Sequence, residues 1–257
     1  MGYTKVIHYG GVIEVYKYEK DVRAVGRKKK ILGQSSLLPH ISENTENIGT
    51  QRESKKVRTE AHARRARVAF RRLVASNLDG INNPVLASFT YADNMADISV
   101  GRKDWNTFAR RGVALWGTGF RWVCVAEFQR RGALHFHALL WGLPSGLVDS
   151  ERHTRLVASL WTRGFVDITA TDGSHRLAGY LAKYMSKMFL DERMVGRKAY
   201  ITSRNIRRPT IDKNALMMPY HTKETGYPQI PGSKVLHKSE YQTQWLGMCN
   251  YQKYKTT

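Results

Sequence analysis

Cysteine is scarce in this chain: Cys124 and Cys249 are the only two among 257 residues. They stand far apart and form no metal-type pair, and so few thiols exclude a disulfide-stapled scaffold and suit a reducing compartment. Long apolar runs are missing as well. None approaches the ~20 residues that span a bilayer, and the mean hydropathy is negative. The opening MGYTKVIHYGG lacks the apolar core of a signal peptide. These absences predict a soluble protein of the cell interior, with no membrane partner. No Gly-x-x-x-x-Gly-Lys-Ser/Thr loop occurs, so no phosphate-cradling motor segment is expected. No internal repeat is visible. Acidic residues are outnumbered two to one, 21 Asp+Glu against 42 Lys+Arg, a formal charge of +21.

That imbalance favours a polyanionic partner, because each neutralised phosphate releases counterions. Charge alone does not separate an enzyme from a ribosomal or nucleic-acid-coating protein. Its distribution adds something. Residues 1–80 carry 17 basic and 8 acidic side chains, residues 81–189 carry 13 and 8, and residues 190–257 carry 12 and 5. The flanks are the more basic parts, so the centre is expected to hold the chemistry and the flanks to grip DNA. A hydrophobic fraction of 42% is enough for a real core, and the length suits one large domain with flanks.

Residues 6–18 mix β-branched and aromatic side chains and predict one or two strands. The polar stretch 25–54, opening on Arg27-Lys28-Lys29-Lys30, predicts a loop. Residues 57–78 predict a helix with Ala63, Ala66, Ala69, Phe70, Leu73 and Val74 on one face. Arg64, Arg65, Arg67, Arg71 and Arg72 fall mainly on the other, as phosphate contacts or as a solvated surface. Strands are predicted at 85–91, 120–128, 133–141 and 164–170, and helices at 104–115, 156–161 and 177–190. Beyond Arg193 the chain reads as irregular and basic; Arg204, Arg207 and Arg208 suit DNA contacts or a loose tail.

His135-Phe136-His137 lies at the centre of this pattern. On a strand the two imidazoles share a face, while Leu134, Phe136, Ala138 and Leu140 face a core. A lone His-x-His is often an ordinary polar pair, so a third ligand is needed. The loop Arg130-Arg131-Gly132 suits a tight hairpin. In that register Gln129 faces Ala133, Phe128 faces Leu134 and Glu127 faces His135, placing Glu127, His135 and His137 on one side. One carboxylate and two imidazoles make a mixed O/N site suited to a divalent cation, Mn²⁺ or Mg²⁺. The competing role for Glu127 is a salt bridge to Arg130 or Arg131, and a one-residue slip would remove it from the ligand face.

The helix LAGYLAKYMSKMFL carries Tyr180-x-x-Lys183-Tyr184-x-x-Lys187. Leu177, Leu181, Met185 and Met188 predict its buried stripe, with Tyr180 and Tyr184 as neighbours at the border. Tyrosines edging a core and lysines facing water would suffice to explain this. The other reading is chemical: a phenol beside a cation can attack a phosphate that a metal polarises.

Taken in order, these segments resemble the HUH endonucleases, the rolling-circle replication initiators of small DNA phages and plasmids. ASFTYAD (87–93) looks like the first motif of that family, EFQRRGALHFHALLW (127–141) like its second, and YLAKYMSK (180–187) like its third, in the two-tyrosine form. The arginine-rich helix and GRKAYITSR (196–204) are also similar. The resemblance implies an α+β fold, a central antiparallel sheet with flanking helices in an RRM-like or ferredoxin-like arrangement, over 57–208. Basic extensions, 1–56 and 209–257, would flank it, the first partly strand and partly mobile. It implies Glu127, His135 and His137 as metal ligands, Tyr180 and Tyr184 as nucleophiles assisted by Lys183 and Lys187, and DNA contacts from Arg64, Arg65, Arg71, Arg72, Arg130, Arg131 and Arg204. The expected activity is nicking and rejoining of single-stranded origin DNA through a 5′-phosphotyrosine link, in the cytoplasm of a bacterial host whose helicase and polymerase do the rest. A conjugative relaxase or HUH transposase shares the chemistry; a non-catalytic single-strand-binding protein is the reading from another class. His153, His175 and His221 have no partner at metal spacing, and the six tryptophans are expected to pack rather than stack on bases.

Overall fold

The computed structural model describes residues 3–20, 47–78, 83–144, 151–174, 176–188, 191–194, 197–198, 200–212, 230–244 and 246–256. Within these, the side chains of 47–59, 61, 151–153, 185–188 and 192 lie outside the description. The chain divides into two compact units, residues 48–207 and the terminal segments 1–47 and 208–257 taken together.

Residues 48–207 are built on a five-stranded antiparallel sheet. Its order is β6 (Val166–Thr169), β3 (Val85–Phe89), β5 (Leu134–Trp141), β4 (Arg121–Phe128), β7 (Ile201–Thr202). The central strands β4 and β5 are buried almost throughout, because helices cover both faces. Helices α2 (Ile98–Trp116) and α3 (Glu151–Trp161) cover one face. There Phe89, Trp105, Phe108, Phe136, Ala138 and Trp161 form the main core. On the other face α1 (Asn47–Ala75) and α4 (Arg176–Met188) pack Phe70, Leu73, Val74, Ala178, Leu181 and Ala182 against Val123, Val125, Leu139 and Trp141. Strand alternation separates the two faces.

The expected α+β class, with antiparallel strands and flanking helices, is what the chain adopts. Several boundaries differ. Helix α1 begins at Asn47, within the stretch read as a loop. QRESKKVRTEAHARRAR is rich in straight-chain and alanine residues that favour helix regardless of amphipathicity. Ala69 of that helix is exposed, while Ala63, Phe70, Leu73 and Val74 are buried. Helix α2 starts at Ile98 rather than 104, where Asp97 accepts hydrogen bonds from the Ser99 and Val100 amides. Ala178, Leu181 and Ala182 are the buried positions of α4, with Leu177 half-buried; the side chains of Met185 and Met188 lie outside the described residues. Trp105, Trp122, Trp141 and Trp161 are buried and Trp116 half-buried. Trp245, His175, His221 and the His153 side chain lie outside the described residues.

The second unit is a separate five-stranded antiparallel sheet, ordered β8 (Thr210–Asp212), β1 (Tyr3–Tyr9), β2 (Val12–Tyr18), β10 (Gly247–Thr256), β9 (Ser233–Thr243). Gly10 and Gly11, both at positive φ, close the β1–β2 hairpin. The region beyond Arg193, read as irregular, thus contributes β7, β8, β9 and β10. Strand β9 is exposed along nearly its whole length, so it carries no apolar alternation to announce it; its pairing with β10 holds it in place.

Candidate active site

The β4–β5 hairpin sets the register of the site. The Gln129 amide donates to Ala133 O at 2.8 Å, and Gly132 takes the positive φ of 88° that the turn requires. Phe128 then opposes Leu134, and Glu127 opposes His135, as the loop length predicted. Glycine acts once more behind this strand. A Cβ on Gly101 of α2 would lie 2.2 Å from Leu134 Cδ2 and 3.2 Å from Phe136 Cζ, so the bare backbone lets α2 press against the rear of the histidine strand.

Leu134, Phe136 and Ala138 enter the α2/α3 core, while His135 and His137 lie on the sheet face that α1 and α4 cover. All three expected ligands are buried. His137 Nε2 lies 2.9 Å from Glu127 Oε2, so Glu127 pairs with His137. His137 Nδ1 lies 3.2 Å from Ser88 Oγ, on the neighbouring strand β3 where Ser88 opposes His137. The ring centroids of His135 and His137 are 6.4 Å apart. His135 Nε2 is buried and has no hydrogen-bond partner among the described residues. Among the described residues no three His, Cys, Asp or Glu side chains stand close enough, as placed, to enclose an ion. The donor set nonetheless suits one: a carboxylate, an imidazole held by that carboxylate, and a second imidazole whose buried nitrogen has no partner among the described residues. Burial, and then the neighbouring His137, hold the His135 imidazole below its ordinary pKa, with Glu127 opposing. The shift favours the neutral imidazole, the form that can ligate.

Helix α4 brings the tyrosines to this cluster. The Tyr184 ring stacks on the His137 imidazole, with centroids 3.7 Å apart and planes within 15°. The Tyr184 hydroxyl donates to Tyr180 Oη at 2.8 Å. Tyr180 is 40% exposed, whereas Tyr184 is half-buried. Burial, together with the hydrogen bond to Tyr180, pushes the Tyr184 phenol well above its usual pKa. Lys183 is exposed on the same helix; the Lys187 side chain lies outside the described residues.

Arg64, Arg65 and Arg71 are exposed on α1, which packs on the sheet face that carries His135 and His137, and Arg72 is half-buried. Arg130 and Arg131 are exposed at the hairpin turn, and Arg204 is exposed after β7. Three supporting residues were not anticipated. Ser88 reaches His137; its only sequence signal was a hydroxyl in the apolar strand VLASF. Arg193 lies 3.5 Å over the Phe128 ring and is held by Asp191 at 2.6 Å, bracing the hairpin beside Glu127. Buried Asn77 donates to Leu73 O and Arg207 O and accepts from the Arg207 amide, tying the end of α1 to the segment after β7.

Residues 84–189 match the family model of the replication-associated protein ORF2/G2P. The match contains Glu127, both histidines and both tyrosines. No curated protein and no solved structure matches the chain. No helix among the described residues is long and apolar enough to cross a membrane.

Proposed function

We propose that this chain initiates rolling-circle DNA replication as a metal-dependent endonuclease of the two-tyrosine HUH type. The observation that carries the reading is the stack of Tyr184 on His137, which joins the tyrosine pair to the histidine–glutamate cluster. The match to replication-associated proteins over the same residues supports it. Glu127, His135 and His137 would hold a divalent cation, Mn²⁺ or Mg²⁺, and such an ion supplies polarisation of phosphate oxygens. Ser88 would fix the His137 ring through Nδ1.

In this reading Tyr180 Oη attacks the scissile phosphorus of single-stranded origin DNA. The new O–P bond forms as the bond to the 3′ oxygen breaks. The phenolic proton goes to solvent, and the departing 3′ oxygen takes up a proton to become the free 3′-OH. Tyr184, donating to Tyr180 Oη, stabilises the phenolate. Attack of a 3′-OH on the phosphotyrosine reverses the step and rejoins DNA. Lys183, Lys187 and the arginines Arg64, Arg65, Arg71, Arg72, Arg130, Arg131 and Arg204 would hold the strand. A host helicase and polymerase would extend the 3′ end.

The test is a covalent-adduct assay on a denaturing gel, with a degenerate single-stranded library and Mn²⁺. A shifted band is expected, lost with chelator, with His137→Ala and with Tyr180→Phe/Tyr184→Phe together. Tight binding without any adduct, from a library deep enough to contain the origin, would replace this reading with a non-catalytic single-strand-binding protein.

A further inference from the structure

Phe165, the residue before β6, is 82% exposed. A single apolar side chain at a surface is ordinary; this one is set apart by where the strand register puts it. Ala126, Phe136, Phe89 and Val166 form one row across β4, β5, β3 and β6, and all four enter the α2/α3 core. The next row is Glu127, His135, Thr90 and Phe165. Glu127 opposes His135, Thr90 follows Phe89, and the Thr90 amide donates to Phe165 O at 2.9 Å. Side chains alternate along each strand, so this row lies on the opposite face, that of the candidate ligands. Phe165 therefore shares a row and a face with Glu127 and His135, two strand spacings, ~10 Å, from His135.

The ring is exposed although its backbone is fixed. The Phe165 amide donates to Thr90 Oγ1 at 3.1 Å, and the Thr90 hydroxyl donates to Phe165 O at 3.2 Å. The Ala92 amide donates to Arg163 O at 2.9 Å, and the Trp161 indole donates to Thr90 O at 2.8 Å. A Cβ on Gly164 would lie 2.5 Å from Thr90 O and 2.6 Å from Ala92 N, so the two segments meet backbone to backbone. A pinned attachment that holds an apolar ring in water suits a contact surface, since little backbone order is left to lose on binding. Its surroundings select the occupant. Asp167, one row along and opposite Ser88, is exposed and repels phosphate. Arg163 is held by Asp104 at 2.9 Å. An uncharged π-face fits this ring better than a phosphate does.

We propose that Phe165 stacks on an unpaired base flanking the phosphate that Tyr180 attacks, and so helps to fix how the strand crosses the sheet. The proposal rests on the nicking reading for what lies at the tyrosines. A strand held there by one phosphate has neighbouring bases within reach of this row. An unpaired base of any sequence offers a π-face to an aromatic ring, whereas a duplex keeps those faces stacked internally.

The experiment uses the full chain and a 5-iodouracil-substituted oligothymidylate, with chelator present so that no strand is cut. Ultraviolet cross-linking and peptide mapping of the unaltered chain are expected to place an adduct on Phe165. Fluorescence anisotropy is expected to show Phe165→Ala weakening oligothymidylate binding by ~5-fold or more, the low end of one stacked base, and Phe165→Trp restoring it. The urea midpoint of Phe165→Ala is expected to match that of the unaltered chain, because so exposed a ring buries little. No cross-link at Phe165, an affinity unchanged by Phe165→Ala, or a loss that Phe165→Trp leaves unrestored overturns the proposal. If the affinity is unmoved while sedimentation shows Phe165→Ala dissociating a dimer, the ring meets a second copy of the chain instead. Failure of the nicking reading is seen separately. A chain that forms no phosphotyrosine adduct with Mn²⁺ yet cross-links through Phe165 loses that reading and keeps the stacking contact.

Discussion

The two tyrosines of α4 occupy unequal positions, and the inequality predicts unequal roles. Tyr180 is the more exposed and receives the hydrogen bond; Tyr184 is half-buried, stacked on His137 and donates it. Tyr180→Phe is therefore expected to abolish the first covalent adduct. Tyr184→Phe keeps the ring stack and loses one hydrogen bond to Tyr180, the proposed nucleophile, about 1 kcal/mol or an expected ~5-fold slower nick. Peptide mapping of the trapped adduct checks this, and a wild-type adduct found mainly on Tyr184 would reverse the assignment. His135 supports a second prediction. Its folded pKa is depressed below the usual 6.5 by burial, so the unfolded chain takes up a proton that the folded site refuses. In chelator, stability should then fall as pH drops below about 6.5, and His135→Asn should flatten that slope in urea titrations at pH 7 and pH 5.5.

At the scale of elements, the strands that carry the candidate site were the legible ones. Beta-branched and aromatic runs broken by Arg130-Arg131-Gly132 announce β4 and β5, and three loop residues with a final glycine dictate that Glu127 opposes His135. The stack of Tyr184 on His137 was not legible, because it depends on where α4 crosses the sheet, and helical spacing says nothing about that. Nor was Ser88, which meets His137 only through the β3–β5 pairing. Strand β9 was invisible because both of its faces meet solvent. Asn77 is similarly silent in sequence, a polar residue after an arginine-rich helix, yet it is fully buried and bridges α1 to Arg207. Asn77→Ala removes those bonds and is expected to cost about 2 kcal/mol, seen as a lower urea midpoint. If nicking in that variant is also slowed at temperatures where the protein remains folded, the segment after β7 contributes to the placement of DNA.

At the scale of the whole molecule, the +21 charge is divided between the two units. Residues 48–207 carry 27 basic and 13 acidic side chains, and the terminal segments carry 15 and 8. Such a charge predicts single-strand binding that weakens steeply with salt. Neutralising about six phosphates gives a slope near −4 in log affinity against log salt, a loss of ~300-fold between 50 and 200 mM. The exposed arginines of α1 allow the slope to be divided. Arg64→Gln/Arg65→Gln should flatten it by roughly 1.4 if both side chains neutralise a phosphate. Anisotropy titrations of oligothymidylate from 50 to 400 mM salt, with chelator present so that no strand is cut, read that change. An unaltered slope would mean that this helix presents its arginines to solvent, and that the phosphates are met elsewhere on the molecule.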